Sequence, residues 1–73
     1  MQEHIVLHET YCDAEGEEYD ILYLDGVKVM EGDYYHNHIK SKIAGYLVGL
    51  DTLITYKYVK KHIEVEDIGF IGH

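Results

Sequence analysis

Asp33-Tyr34-Tyr35-His36-Asn37-His38-Ile39-Lys40-Ser41-Lys42-Ile43-Ala44-Gly45-Tyr46-Leu47-Val48-Gly49-Leu50 is the stretch whose reading decides the fold. Tyr35, Ile39, Ile43, Tyr46, Leu47 and Leu50 recur at three- and four-residue steps, which puts them on one face of a helix. Asp33 is the expected N-cap, because its carboxylate can accept from the free N–H groups of a first turn. Gly49 is the expected stop, because glycine takes the left-handed conformation that ends many helices. Ser41, Gly45 and Gly49 fall four residues apart on another side. Glycine inside a helix is unfavourable, so Gly45 implies close packing on a strand or a second helix, or a local bend.

Outward from this helix the chain reads as strand. Tyr19–Leu24 and Val27–Glu31 flank Asp25-Gly26, a two-residue signature of a tight type I′ hairpin. That register sets Leu24 opposite Val27 and Leu22 opposite Val29 on the side under the helix. Tyr23 then faces Lys28 and Ile21 faces Met30 on the other side, with Tyr19 beyond. His4–Tyr11 forms a first strand, with Ile5, Leu7, Glu9 and Tyr11 on one face and His4, Val6 and His8 on the other. Residues 12–18 are polar, acidic and centred on Gly16, which marks a loop. After the helix, Leu53–Val65 is rich in β-branched and aromatic residues. Its alternation changes phase, which predicts a bulge or bend near Tyr58-Val59. Thirteen extended residues span roughly 43 Å, against a radius of gyration of about 11 Å for so small a domain. The strand must bend, break or project towards a second subunit. The fold class is α+β: an antiparallel β-sheet of three to five strands in β-β-β-α-β order, with one helix packed across one face. Residues 1–73 make a single domain.

A chain of 73 residues buries only about 60% of its unfolded surface and folds alone with little margin. Cys12 is the only cysteine, so disulfides cannot supply the deficit. Oligomerisation is the common remedy, and a homodimer or higher oligomer is expected, also from the apolar tail 68–73. A lone cysteine favours a reducing, cytoplasmic setting. The N-terminus lacks the basic and apolar regions of a signal peptide, and no run approaches the ~20 apolar residues that span a membrane.

The net charge is −8 with no arginine, and it is unevenly spread. Residues 1–33 carry a net −9, residues 34–63 a net +4 and residues 64–73 a net −3. A field of this size repels nucleic acid and anionic membrane and attracts basic surfaces. Tyrosine supplies eight of the nine aromatic residues, and tyrosine favours interfaces through its apolar body and polar tip.

The leading expectation is therefore a non-catalytic protein-binding module, an inhibitor or regulator that imitates nucleic-acid charge against a basic partner groove. Its contacts are Asp13, Glu15, Glu17, Glu18 and Asp20 with Tyr19, Tyr23, Tyr56 and Tyr58, and the face opposite the helix is a partner or dimer surface. A second reading gives Lys40, Lys42, Lys57, Lys60 and Lys61 an anionic ligand such as a nucleotide, held at a homo-oligomer seam. A third gives the same lysines a weak hold on nucleic acid, with tyrosines stacking bases.

Neither catalysis nor a cofactor is expected. His8 is four residues from Cys12 along one strand, too far to act as its base, and no glycine-rich phosphate loop is present. No metal site is expected either. His36 and His38 point about 200° apart on a helix, and His4 and His8 stand roughly 13 Å apart on a strand. The acidic loop 13–20 lacks the ligand spacing of a calcium loop.

Overall fold

The computed structural model describes residues 3–33 and 38–71. Its elements are β1 (His4–Cys12), β2 (Glu18–Leu24), β3 (Val27–Asp33), α1 (Ile39–Asp51), β4 (Tyr56–Glu64) and the short α2 (Ile68–Ile71). The fold is α+β in the expected β-β-β-α-β order, with four strands arranged β3-β2-β1-β4. The sheet is mixed rather than wholly antiparallel: β1 pairs antiparallel with β2 and parallel with β4. The cause lies in the connection. A helix between β3 and β4 carries the chain back along the sheet, so β4 runs in the direction of β3, and β3 and β1 both oppose β2.

The β2–β3 hairpin turns on Asp25 at φ 52 and Gly26 at φ 84, both left-handed as a type I′ turn requires. Asp25 also ties the turn to β1. Its Oδ1 accepts from the Ile5 amide at 2.9 Å and its Oδ2 lies 2.6 Å from His4 Nδ1. Leu24 opposite Val27 and Tyr23 opposite Lys28 match the expected register, which then slips: Leu22 faces Met30 and Ile21 faces Glu31. Val29 is the extra residue of a bulge. Met30 thereby packs against the core, and Val29 is left 37% exposed.

Helix α1 starts later than its periodicity suggests. Asp33 ends β3, and the residue before the helix is His38, in the left-handed region at φ 49 and without a side-chain cap. Tyr35, the first residue of the expected stripe, lies outside the described residues. Gly49 does not end the helix, which continues to Asp51. Thr52 closes it: its hydroxyl donates to the Gly49 carbonyl at 2.7 Å, and its N–H serves the same turn. The stripe otherwise packs as its spacing implies. Ile39, Ile43 and Leu50 are buried on Val6 and Leu22, with Leu24, Met30, Tyr46, Leu47, Ile54 and Tyr56 around them.

The Ser41-Gly45-Gly49 side of α1 is exposed. A Cβ at Gly45 or Gly49 would meet no atom within 4 Å among the described residues, so neither glycine is required by close packing on the sheet. Gly45→Ala and Gly49→Ala are each expected to stabilise the fold by about 0.5–1 kcal/mol through helix propensity. Urea denaturation checks this, and a loss of stability would show that this side is packed against a second molecule.

Strand β4 pairs with β1 without interruption from His4↔Tyr56 to Cys12↔Glu64, so there is no bulge at Tyr58-Val59. Its mixed pattern arises because both faces carry apolar groups. Tyr56 and Tyr58 lie in register with His4 and Val6 on the helix side, while Val59 and Ile63 lie with Leu7 and Tyr11 on the other. Ile54 joins the core before the strand begins. Nine residues need roughly 30 Å, and the domain is 42 Å long with a radius of gyration of 12.9 Å. The strand therefore fits its own domain without projecting. No helix among the described residues is long and apolar enough to cross a membrane.

Candidate functional site

Three groupings of polar and aromatic side chains emerge. The first is an acidic end. The turn 13–17 closes through the Asp13 carboxylate, whose Oδ1 accepts from the amides of Glu15 at 2.9 Å and Glu17 at 3.0 Å. Its Oδ2 accepts from the Ile68 amide at 3.3 Å. The Val65 amide donates to the Cys12 carbonyl at 2.8 Å, which fixes the segment after β4 beside the same turn. Two acidic segments from opposite ends of the chain thus meet at one end of the sheet. Glu15, Glu17, Glu64, Glu66 and Asp67 are all exposed there. Asp13 itself is structural: desolvation would raise its carboxyl, but the amides of Glu17, Ile68, Glu15 and Gly16 together outweigh this and hold it below its ordinary range.

The second grouping is a buried polar cluster under the start of α1. Val6, His8 and Thr10 point to the helix side of β1, and Leu22 and Asp20 stand opposite His8 and Thr10 on β2. The apolar seam ends at Val6 and Leu22, and beyond it His8, Thr10 and Asp20 are all buried. His8 is held from both sides, with Nδ1 2.5 Å from the Tyr58 hydroxyl and Nε2 3.0 Å from Asp20 Oδ2. Lys40, on the first turn of α1, reaches Asp20 Oδ2 at 3.2 Å and Glu18 Oε1 at 3.0 Å. Burial alone would lower the Lys40 ammonium, yet its bonds to Glu18 and Asp20 raise it above its ordinary value. Burial, then the Asp20 charge, pushes the Tyr58 phenol up, so Tyr58 keeps its proton at neutral pH. Cys12 lies at the rim, with Sγ 3.7 Å from Glu18 Oε2 and 4.0 Å from His62 Nδ1. Burial and Glu18 raise its thiol, the opposite of what an activated nucleophile needs.

The third is the sheet face away from α1. It carries Ile5, Leu7, Glu9 and Tyr11 of β1 with Tyr19, Ile21 and Tyr23 of β2, Lys28, Glu31 and Asp33 of β3, and Lys57, Val59, Lys61 and Ile63 of β4. Ile5 is 50% exposed, and Leu7, Tyr11, Ile21, Tyr23, Val59 and Ile63 are half-buried. Glu9 accepts from the Tyr11 hydroxyl at 3.2 Å, and Glu31 accepts from the Tyr19 hydroxyl at 2.7 Å. Burial and this bond push the Tyr19 phenol up to about 12. Glu31 also pairs with Lys28.

The expected contact residues divide accordingly. Glu15 and Glu17 are exposed at the acidic end, and Glu18 is half-buried beside Lys40. Asp20 is not a surface contact, because it lies wholly inside. The four tyrosines do not share a face: Tyr19 and Tyr23 lie on the open face, Tyr19 nearly buried, while Tyr56 and Tyr58 lie on the helix side. The lysines do not converge either. Lys40 is committed to Asp20 and Glu18, Lys42 is exposed on α1, Lys57 and Lys61 are on the open face, and Lys60 is on the other.

Sequence reading missed the His8–Asp20–Lys40 cluster and the meeting of the two acidic segments, since both depend on which strands are neighbours. The one signal was that His8, between Val6 and Thr10 and beside β-branched residues, shares the parity of the buried face. Comparison with protein-family models, with curated proteins and with solved structures finds no match to this chain.

Proposed function

We propose that the chain is a non-catalytic, cytoplasmic protein-binding module whose acidic end engages a basic surface of another protein, as an inhibitor or regulator would. The observation that supports this reading is the convergence of Glu15, Glu17, Glu64, Glu66 and Asp67, all exposed, at one end of the sheet. Carboxylates gathered this way sum to a local field that steers a basic partner into contact. A groove that ordinarily takes nucleic acid is the concrete partner, since it offers clustered positive charge. The dispersed lysines give less support to an anionic ligand or to nucleic acid itself.

The test compares the wild-type chain with a neutralised one (Glu15→Gln, Glu17→Gln, Glu66→Gln, Asp67→Asn) in pull-downs from lysate. Partners held by the wild type are expected to be basic proteins that elute as salt rises from about 50 to about 300 mM, where the screening length roughly halves. They are expected to be lost to the neutralised chain. Partners retained equally by both chains, or indifferent to salt, would sink the reading.

A further inference from the structure

We propose that the open sheet face is a self-association surface that closes on a second copy of this chain, about a two-fold axis parallel to the strands and running between β1 and β2. The proposal stands apart from the acidic-end reading, because it uses a different surface and a different partner.

The strand register carries it. Glu31 faces Ile21, Ile21 faces Glu9, and Glu9 faces Lys61. These four residues therefore form one row across the open face, with an acid on the β3 edge and a base on the β4 edge. A two-fold axis along the strands turns left into right and leaves height unchanged. It sets Glu31 of each copy over Lys61 of the other, twice per dimer by symmetry. In the row below, Tyr23 faces Leu7 and Leu7 faces Val59, so the same operation lays Tyr23 of one copy on Leu7 of the other. On the inner strands Tyr23 thus meets Leu7 and Ile21 meets Glu9, whose carboxylate keeps its bond from the Tyr11 hydroxyl, and the Glu31–Lys61 pair closes the two edges. An axis across the strands would instead lay β3 on β3 and β4 on β4, and the open face of β4 (Lys57, Val59, Lys61, Ile63) offers no acid to Lys61. Lys61 is exposed and has no ion pair among the described residues, whereas Glu31 is already ordered by Tyr19 and Lys28. The interface would therefore recruit an exposed lysine to a fixed acid.

Size sets the strength of the contact. Four strands at ~4.8 Å spacing and about seven residues at ~3.3 Å make a face of roughly 400–450 Å². Two such faces meeting cover on the order of 900 Å² before side-chain relief is counted, below the ~1,200–2,000 Å² of stable complexes and in the range of weak, reversible ones. The axis brings both acidic ends to one end of the dimer. Their exposed carboxylates point to solvent, where repulsion is screened over ~8 Å at physiological salt.

Intermolecular complementation tests the geometry. Wild type, Glu31→Lys, Lys61→Glu and a 1:1 mixture of the two variants are compared by light scattering at about 100 µM, well above a modest interface's ~µM affinity. The wild type is expected to be a dimer and each variant alone a monomer. The mixture is expected to be a dimer again, since a base then meets an acid across both rims. A monomeric wild type, single variants that stay dimeric, or a mixture that stays monomeric would each overturn the proposal. Should Glu31→Lys fail to fold, a dilution series of the wild type by NMR gives the answer instead. The methyl resonances of Leu7, Ile21 and Val59 are expected to move on dilution and those of Ile39 and Ile43 to stay. The reverse pattern, or no movement at all, would refute the proposed face.

Discussion

Leu22→Ala is expected to lower the unfolding free energy by about 3–5 kcal/mol, which for a domain of this size is much of what it has. Leu22 is wholly buried where β2 meets α1, in one cluster with Val6, Ile39, Ile43 and Leu50. A helix on one side of a single sheet leaves few other layers to collapse into the void, so the cavity term is added nearly in full. Thermal melting should fall by roughly 12–40 °C, at about 4–8 °C per kcal/mol for domains of 60–100 residues. The same experiment discriminates the two registers of the hairpin. Met30 packs against the core opposite Leu22, and Val29 bulges out. Met30→Ala is therefore expected to cost about 1–3 kcal/mol and Val29→Ala less than about 1 kcal/mol, in proportion to the area each buries. Equal or inverted losses at these two positions would return the hairpin to the unbulged register.

Lys40→Met is expected to cost about 2–3 kcal/mol, and Asp20→Leu combined with Lys40→Met to recover at least half of that loss. Asp20 is 0% exposed, and its Oδ1 meets no donor among the described residues. Its Oδ2 is shared by His8 and Lys40. Removing the ammonium leaves a carboxylate in the interior with a single polar partner, a change that costs about 3–5 kcal/mol in fully buried pairs. The lower figure here reflects a Lys40 side chain that is itself 40% exposed, so water moderates the field it exerts. Removing both charges removes the cause of the penalty, and an apolar pair of similar volume extends the seam that ends at Leu22. Chemical denaturation of the two variants reads the difference. A double variant less stable than Lys40→Met would mean that Asp20 stabilises the fold in its own right, through His8.

Local patterns made much of this fold legible. Asp25-Gly26 announced its turn because only a few residues tolerate two successive left-handed conformations. The Ile39-to-Leu50 spacing announced its helix because one apolar face at that period has no other use. What failed was whatever depended on a neighbour distant in the chain. The parallel pairing of β4 with β1, and with it the placement of Tyr56 and Tyr58 on the helix side, follows from the crossover and leaves no mark within Leu53–Val65. The bulge at Val29 is a similar case. Val27, Val29 and Met30 are all apolar, so alternation alone could not say which of them drops out of phase. Of the proposed contacts, Glu15 and Glu17 were placed correctly on the surface because a polar turn has nowhere else to go. Asp20 was not, because a carboxylate becomes tolerable inside only when Lys40, twenty residues later, is brought over it.

The parallel pairing also has a consequence for how the chain assembles. Every contact in the β1–β4 ladder joins residues 52 positions apart, from His4↔Tyr56 to Cys12↔Glu64. On a ribosome the hairpin of β2 and β3 can form and pair with β1 as soon as the first 33 residues have emerged. β1 must then keep one edge open until β4 has left the exit tunnel. During that interval the unpaired amides of β1 invite any other nascent strand. Distant pairings of this kind slow the search for the native state. Asp25, by bonding His4 and the Ile5 amide, ties β1 to the hairpin turn at the end where β4 begins its pairing. It is thus well placed to shorten the time that this edge spends without a mate.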